Sequence, residues 1–146
     1  MPNWVDNTLI VSGNPDLVAA FATDVRSGES CFDFNKILPY PDCYRELDDV
    51  SPDAGYNAGG YEWCLDSWGT KWPADLVECD DSNNHRLTYI FLTAWSPPTG
   101  IVKHLAQHYP DLSFDLVTTD SSMGWRYMLT ARDGQFQEKT IEDYGE

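Results

Sequence analysis

Basic residues are scarce in this sequence. Its 146 residues include 9 Lys and Arg against 24 Asp and Glu, so the formal net charge at pH 7 is −15. Proteins bind nucleic acids largely through Lys and Arg, which displace counterions from the phosphates. We therefore expect no direct binding to DNA or RNA. The surplus of carboxylates attracts partners with a basic surface, although acidity also serves solubility alone.

The sequence also lacks the patterns of redox, zinc-binding and membrane proteins. The four cysteines, Cys31, Cys43, Cys64 and Cys79, form no C-x-x-C pair. No apolar run reaches the ~20 residues of a membrane span, and the start of the sequence has no basic and then apolar leader. We expect four reduced thiols in a protein of the host cytoplasm, with no membrane partner.

Motifs of catalysis are missing as well. The sequence has no glycine-rich phosphate-binding loop and no acid/base pair at a defined spacing. His104 and His108 stand four residues apart, a spacing found in metal-binding helices, but the Glu of an H-E-x-x-H motif is absent. Histidines facing solvent are the favoured interpretation. We therefore predict no enzymatic activity, no cofactor and no metal site.

Apolar and aromatic residues are plentiful, which indicates a folded chain. They make up 42% and 14% of the residues, with six Trp, enough for one domain over residues 1–146. Trp4–Ser12 has the β-branched and apolar composition of a strand. Asn14 and Pro15 then start a helix whose apolar residues recur at helical spacing to about Ser27. A strand followed by a helix predicts a βα unit, with the helix packed on the sheet.

The second half of the chain predicts more strands around one helix. The helix is expected to begin with Ser96 as its N-cap and to end before Pro110. Strands are expected at 75–79, 87–95, 113–119, 125–131 and 135–139. This order predicts an α+β fold. It is a ferredoxin-like split βαβ antiparallel sheet with two helices on one face, a long irregular insert and a C-terminal hairpin.

The insert, at about residues 32–74, separates the two halves. Pro and Gly interrupt its candidate elements, so we expect only a short edge segment at 32–38 and one helical turn at 45–53. Loops of this length in a compact domain are usually functional or disordered, so we place the binding surface here. The predicted partner-binding residues are the carboxylates Asp42, Glu46, Asp48, Asp49, Asp53, Asp80 and Asp81.

A tryptophan-rich segment ends the insert. Residues 63–72 contain three Trp and Lys71, and one interpretation is a ligand pocket in which Lys71 lies between indole rings and binds a planar anion. The favoured interpretation is structural: the rings join the insert to the sheet, Gly69 permits a tight turn, and Lys71 extends to solvent. The candidate pocket residues are Trp63, Trp68, Lys71, Trp72 and Trp95.

Four separated strings occur in a fixed order: MPNW at 1–4, LPYP at 38–41, WGTKW at 68–72 and TAWSPP at 93–98. In this combination the chain resembles the YubB-like ferredoxin-like family of phage and plasmid proteins, an uncharacterised Api-type group. The resemblance implies a ferredoxin-like fold and a mobile-element setting. It implies no catalytic residues.

The acidic charge, taken with this setting, favours a binding protein. We expect it to inhibit a host defence or nucleic-acid-handling complex, as an anti-CRISPR-like nucleic-acid mimic. Its partner is then a host protein complex with a basic nucleic-acid-binding surface, bound by a monomer or a dimer. Two alternatives stay open. One is a small-ligand or nucleotide-binding protein that uses the Trp-rich cluster and Lys71, and the other is a virion or plasmid assembly protein.

Overall fold

The computed structural model describes residues 3–120 and 124–141. The predicted domain over 1–146 also includes Met1, Pro2 and the segments 121–123 and 142–146, which lie outside the described residues. The strands are β1 Trp4–Ser12, β2 Asp75–Asn83, β3 Arg86–Ala94, β4 Ser113–Asp120, β5 Trp125–Arg132 and β6 Gln135–Ile141. The helices are α1 Pro15–Asp24, α2 Phe34–Ile37, α3 Asp42–Val50, α4 Tyr61–Ser67 and α5 Thr99–His108, with a wide helical turn at Tyr56–Gly60.

The strands form one six-stranded sheet in the order β2-β3-β1-β4-β5-β6. All five neighbouring pairs are antiparallel. The four strands β2-β3-β1-β4 with α1 and α5 form the two interleaved βαβ units of a ferredoxin-like fold. The strands β5 and β6 extend the sheet beyond β4, so it is wider than the split βαβ description states.

The core lies between one face of the sheet and the helices. Along β1 every second residue is buried, including Leu9 and Val11, because side chains of a strand alternate between the two faces. Phe21 of α1 and Leu105 of α5 pack into the same core. On the other face, Ile90 is 48% exposed. The helices therefore cover one face of the sheet.

The two long helices begin in different ways. Asn14 caps α1 as expected, since its side chain accepts a hydrogen bond of 2.9 Å from the amide of Asp16. Ser96 does not cap α5, which begins at Thr99 without a side-chain cap. The carbonyl of Trp68 instead accepts the amides of Gly100 and Ile101 at 3.1 and 3.3 Å. The N-cap prediction was wrong because a carbonyl of the insert supplies the acceptor.

The insert is helical, which corrects the expectation of an irregular segment. The expected edge segment at 32–38 is the single turn α2, started by Asp33, whose side chain accepts the amide of Asn35 at 2.9 Å. Phe32 and Phe34 are nevertheless buried, against Phe91 of β3. The alternation of apolar residues thus predicted the burial of Phe32 and Phe34 correctly, but it did not predict a helical backbone. The helical turn expected at 45–53 is the longer helix α3.

A disulfide joins the insert to the edge of the sheet. Cys31 is bonded to Cys79 of β2 across 48 positions of sequence. Cys43 is free and exposed, and Cys64 is free and buried. The expectation of four reduced thiols is therefore wrong. The insert folds back along the edge strand, a tertiary contact that cysteine spacing does not reveal.

Candidate functional site

The end of the insert is anchored by Trp68. This side chain is 2% exposed, and its indole N–H donates to the carbonyl of Leu38 at 2.9 Å. Its ring packs against Trp63 with centroids 5.3 Å apart. Gly69 then turns the chain with a φ of +89°, and the hydroxyl of Thr70 donates to the carbonyl of Ala94 at 2.9 Å. Trp63 and Trp68 thus occupy the structural place that the favoured interpretation expects.

Asp48 organises the middle of the insert. One carboxylate oxygen accepts the amides of Gly55 and Tyr56 at 2.8 and 3.0 Å. The other accepts the hydroxyl of Tyr40 at 3.0 Å. This carboxylate ties α3 to the chain before and after it, so its acceptors are occupied within the insert. Sequence analysis placed Asp48 among the partner-binding residues, whereas the structure turns it inwards.

Glycines permit this close folding. A Cβ atom on Gly55 would lie 1.9 Å from the carbonyl oxygen of Tyr44, far inside contact distance. A Cβ atom on Gly60 would lie 2.1 Å from the hydroxyl oxygen of Tyr40. Gly55 lets the turn after α3 approach α3 itself, and Gly60 lets it approach Tyr40, which precedes α3. The same glycines had suggested a segment without regular structure.

Folding in this way leaves a pocket of about 270 Å³ within the insert, lined by residues between 35 and 73. Aromatic rings and ionisable groups share its lining. The lining residues are Asn35, Tyr40, Arg45, Asp48, Asp53, Tyr56, Cys64, Trp68, Lys71, Trp72 and Pro73. Two cationic side chains and several aromatic faces therefore meet around one small cavity.

Lys71 lies beside two indole rings, as the pocket interpretation predicts. Its ammonium nitrogen is 4.7 Å from the ring centroid of Trp72 and 6.0 Å from that of Trp95. Trp4 packs on Trp72, with ring centroids 5.8 Å apart. Within residues 3–120 and 124–141, no carboxylate lies within 4.0 Å of this ammonium group. The cation is held by aromatic faces and has no described ion-pair partner.

Trp95 combines backbone strain with exposure. Its φ is +67°, in the left-handed region that bulky side chains avoid, and its side chain is 52% exposed. Its amide donates to the carbonyl of Asn3 at 2.7 Å. A strained residue persists only where its surroundings hold it, and such residues are concentrated at functional sites. Of the five predicted pocket residues, Trp68, Lys71 and Trp72 line the pocket, whereas half-buried Trp63 and exposed Trp95 do not.

The Cys64 thiol and the phenols of Tyr40 and Tyr56 at the pocket all have raised pKa values. Burial, with a smaller contribution from the Asp48 charge, raises the pKa of the Cys64 thiol to about 11. Burial also raises the pKa of Tyr56 to about 12 and that of Tyr40 well above its usual range. Because nucleophilic cysteine chemistry needs a thiolate, the pocket is suited to binding and not to covalent attack by Cys64.

The predicted carboxylates of α3 form an outer row. Asp42, Glu46 and Asp49 are all exposed and stand at i, i+4 and i+7, so they share one side of the helix. Asp42 pairs with Arg45 at 3.5 Å. Asp53 lies beyond the helix at a φ of +62° and lines the pocket. The acidic row is therefore Asp42, Glu46 and Asp49.

Asp80 and Asp81 lie elsewhere, on the edge strand β2. Asp80 pairs with Thr88, six residues and about 20 Å along β3 from Ala94, where the insert is anchored. The amide of Ser82 donates to Asp80 at 2.9 Å, and this hydrogen bond lowers the pKa of the carboxyl group. Charges on an edge strand also discourage pairing with another chain. The predicted carboxylates thus do not form one surface.

Sequence analysis missed an apolar stripe beside the acidic row. Cys43, Leu47 and Val50 repeat at i, i+4 and i+7, and Leu47 and Val50 are 45% and 86% exposed. The helix α3 buries none of its nine residues. The helical spacing of the apolar residues 43, 47 and 50 indicates this stripe, but only once the segment is known to be a helix.

The described residues offer neither a metal-binding cluster nor a membrane-spanning helix. They contain no group of three or more His, Cys, Asp or Glu side chains placed to hold a metal ion. His104 and His108 lie together on α5 with ring centroids 4.0 Å apart. None of the described helices is both long and apolar enough to cross a bilayer.

Comparison with known proteins gives a family and a fold. The family described as the ferredoxin-like domain in Api92-like protein matches residues 74–146, which is half of the chain. The crystal structure of protein Api92 from Yersinia pseudotuberculosis matches with a TM-score of 0.67 and 11% identity, over 100% of this chain and 99% of that one. At this identity the likeness concerns the fold alone. No curated protein matches the chain.

Proposed function

This chain belongs to the family of ferredoxin-like domains in Api92-like proteins, and we propose that it is a binding protein whose insert docks on a basic surface of a partner protein. The observation that carries the proposal is the exposure of α3. A nine-residue helix that buries none of its residues shows solvent an apolar stripe and, beside it, a row of carboxylates. Exposed apolar residues that are bordered by charge are typical of interaction sites.

The two stripes are adjacent on the helix surface. At about 100° per residue, Asp42, Glu46 and Asp49 centre on one direction, and Leu47 and Val50 lie about a quarter turn away. Tyr44 and Asp48 project to the remaining side, where they contact the rest of the insert. An amphipathic helix of this kind fits a groove with an apolar floor and basic walls, the helix-in-groove mode of recognition.

The carboxylate row suits a surface that otherwise holds nucleic acid. Asp42 and Asp49 are separated by about 10 Å along the helix axis, so the three charges recur every ~5 Å, of the same order as phosphates along one strand. A net charge of −15 adds long-range attraction to any basic groove. The partner we propose is a host complex that handles nucleic acid, such as a CRISPR effector or nuclease, inhibited by occupation of its groove.

Such a partner places the action in the host cytoplasm, where a disulfide is normally reduced. The insert has other attachments to the sheet. Trp68 is buried and donates a hydrogen bond to the carbonyl of Leu38, and Thr70 donates one to the carbonyl of Ala94 in β3. Phe32 and Phe34 are 1% exposed. We expect these contacts to keep α3 in place after Cys31 and Cys79 are reduced.

Affinity purification from a lysate of the encoding organism tests the proposal. The tagged protein should retain a basic nucleic-acid-handling complex at low salt and release it at about 0.5 M NaCl, where charges are screened beyond ~4 Å. The variant D42N/E46Q/D49N should lose the complex. L47S/V50S should also weaken retention, because it removes the apolar stripe.

The matched control is E29Q/D111N/D133N. It raises the net charge from −15 to −12, as the α3 variant does, at three exposed positions outside the insert. It should retain the complex. Equal retention by both triple variants would show that overall charge, and not α3, makes the contact. Recovery of a partner without a basic surface would reject the proposal.

A further inference from the structure

The pocket within the insert lies on a different side of α3 from the apolar stripe. Its lining includes Arg45 and Asp48 of α3, which project away from Leu47 and Val50. The pocket and the outer stripe therefore use different sides of one helix. The two surfaces meet at one point, because Arg45 of the pocket pairs with Asp42 of the acidic row at 3.5 Å.

Two cationic side chains, Lys71 and Arg45, line the pocket, and among the described residues no carboxylate fully neutralises either one. Lys71 has no carboxylate within 4.0 Å among the described residues. Arg45 approaches Asp42 at 3.5 Å and donates from Nη2 to the carbonyl of Tyr40 at 3.2 Å. A guanidinium has five N–H donors, so Arg45 keeps donors for a further acceptor. Asp48 and Asp53 line the same cavity, but Asp48 is hydrogen-bonded within the insert, so donors of Lys71 and Arg45 are left for an anionic group of a ligand.

The walls of the pocket favour a planar ring. Trp72 and Tyr56 are half-buried and line the cavity together with Trp68. Lys71 lies over the Trp72 ring, so the charge and the ring face are adjacent. Aromatic side chains stack on flat, conjugated ligands such as nucleobases. The volume of about 270 Å³ is at the lower end of ligand pockets and excludes a dinucleotide or a larger cofactor.

A third group fits the middle of such a ligand. Asp53 is exposed at the pocket lining, and the oxygens of a carboxylate accept hydrogen bonds. Ribose hydroxyls are donors that a carboxylate accepts. Asp48, in contrast, is already bonded to Tyr40, Gly55 and Tyr56. We propose that this pocket binds a nucleoside monophosphate, with its base against Trp72, its ribose near Asp53 and its phosphate at Lys71 and Arg45.

Titration of the full chain with nucleotides tests this site. AMP, GMP, CMP and UMP are added separately while tryptophan fluorescence and binding heat are measured, and 4-hydroxybenzoate serves as a ring carrying a carboxylate. At least one nucleotide should bind with a Kd below about 1 mM and quench the fluorescence. K71M should weaken that binding about tenfold or more, because a charge-assisted hydrogen bond to phosphate is lost.

The matched control is K36M. Lys36 is an exposed lysine of α2 in the same insert and does not line the pocket. K36M should bind the nucleotide as wild type does, and thermal melting of both variants should show that they are folded. R45M gives a second test of the phosphate position and should also weaken binding.

Three results would overturn the proposal. One is the absence of saturable binding for all four nucleotides up to about 10 mM, a range that covers weak sites. Another is equal affinity in wild type and K71M. The third is binding of 4-hydroxybenzoate alone, which would assign the pocket to aromatic carboxylates. All three leave the acidic row and apolar stripe of α3 intact, so they do not bear on partner binding.

Discussion

At the scale of single residues, Asp48 shows how composition and environment differ. Sequence analysis treated it like Asp49, because both are carboxylates in an acidic segment. In the structure Asp48 accepts three hydrogen bonds, from Tyr40, Gly55 and Tyr56, whereas Asp49 is exposed. The partners of Asp48 come together only when the insert folds. No local pattern distinguishes the two residues.

We expect D48A to destabilise the protein by about 2 kcal/mol, because two backbone donors and a tyrosine hydroxyl lose a charged acceptor. D49A should change the free energy of unfolding by less than about 0.5 kcal/mol, as is usual for exposed positions. Urea unfolding of both variants measures the difference. Equal stability of D48A and D49A would show that the carboxylate network contributes nothing to folding.

His104 is the residue through which stability should respond to mild acid. It is half-buried on α5, and burial, followed by the neighbouring His108 charge, lowers its pKa. The unfolded chain therefore binds more protons than the folded one near the ordinary histidine pKa of about 6.5. Stability contributed by neutral His104 is thus present above this pH and is lost as the pH falls through the lowered pKa.

The corresponding measurement is the urea midpoint at about pH 7.5 and about pH 5.5. The midpoint of wild type should fall on acidification by more than that of H104Q, whose side chain does not titrate. Lys36 and Asp24 line a surface pocket together with His104 and His108, and both are unchanged in H104Q. A wild-type change no larger than that of H104Q would remove His104 as the cause.

At the scale of elements, strands and long helices could be predicted, but the insert could not. The strand β1 and the helix α1 have strong local signals: alternating burial, the Asn14 cap and Pro15. The insert contains Gly55 and Gly60, which local rules interpret as interruptions. Their function is close approach to Tyr44 and Tyr40, a tertiary requirement. The π-type turn and α4 follow from contacts that are absent in the local sequence.

The disulfide is the other element-scale feature that the sequence did not reveal. It closes a loop spanning 48 positions. In the chain-entropy description, a loop of this length corresponds to about 4 kcal/mol, or a melting shift of about 10 °C for a chain of this size. Reduction should therefore lower the melting temperature while the protein stays folded at room temperature through the packing of Phe32, Phe34 and Trp68.

Melting with and without reductant measures this effect. The melting temperatures of wild type and C43S should both fall on reduction, since Cys43 is free and exposed and takes no part in the disulfide. C31S/C79S should have a lower melting temperature than wild type without reductant, and reductant should not lower it further. A shift of similar size in C31S/C79S would show that reductant acts elsewhere, and unfolding on reduction at room temperature would contradict the role given to the buried rings.

At the scale of the whole molecule, the order of elements was sufficient for the fold class. A strand, a helix, two strands, a helix and further strands predicted an antiparallel ferredoxin-like sheet, and the family match confirms that class. Over the described residues the sheet has six strands, because β5 and β6 continue beyond β4. The order of the strands and helices can be predicted from local sequence patterns, whereas the position of the insert on the sheet depends on long-range contacts.

The candidate site was predictable in part for the same reason. Lys71 and Trp72 are neighbours in sequence, and Trp95 follows the strand beside which the insert ends. Arg45 and Tyr56 reach the pocket only through the folding of the insert, and sequence analysis missed them. The outer surface of α3 was anticipated as acidic but not as apolar.

We propose that the acidic row and apolar stripe of α3 occupy a nucleic-acid-binding groove of the partner. The most direct measurement is competition: labelled duplex DNA or RNA is bound to the captured complex, and its release is followed as this protein is added. We expect wild type and E29Q/D111N/D133N to displace the nucleic acid fully, and D42N/E46Q/D49N to displace it much more weakly. Simultaneous binding of nucleic acid and wild-type protein, with neither affinity changed, would contradict it.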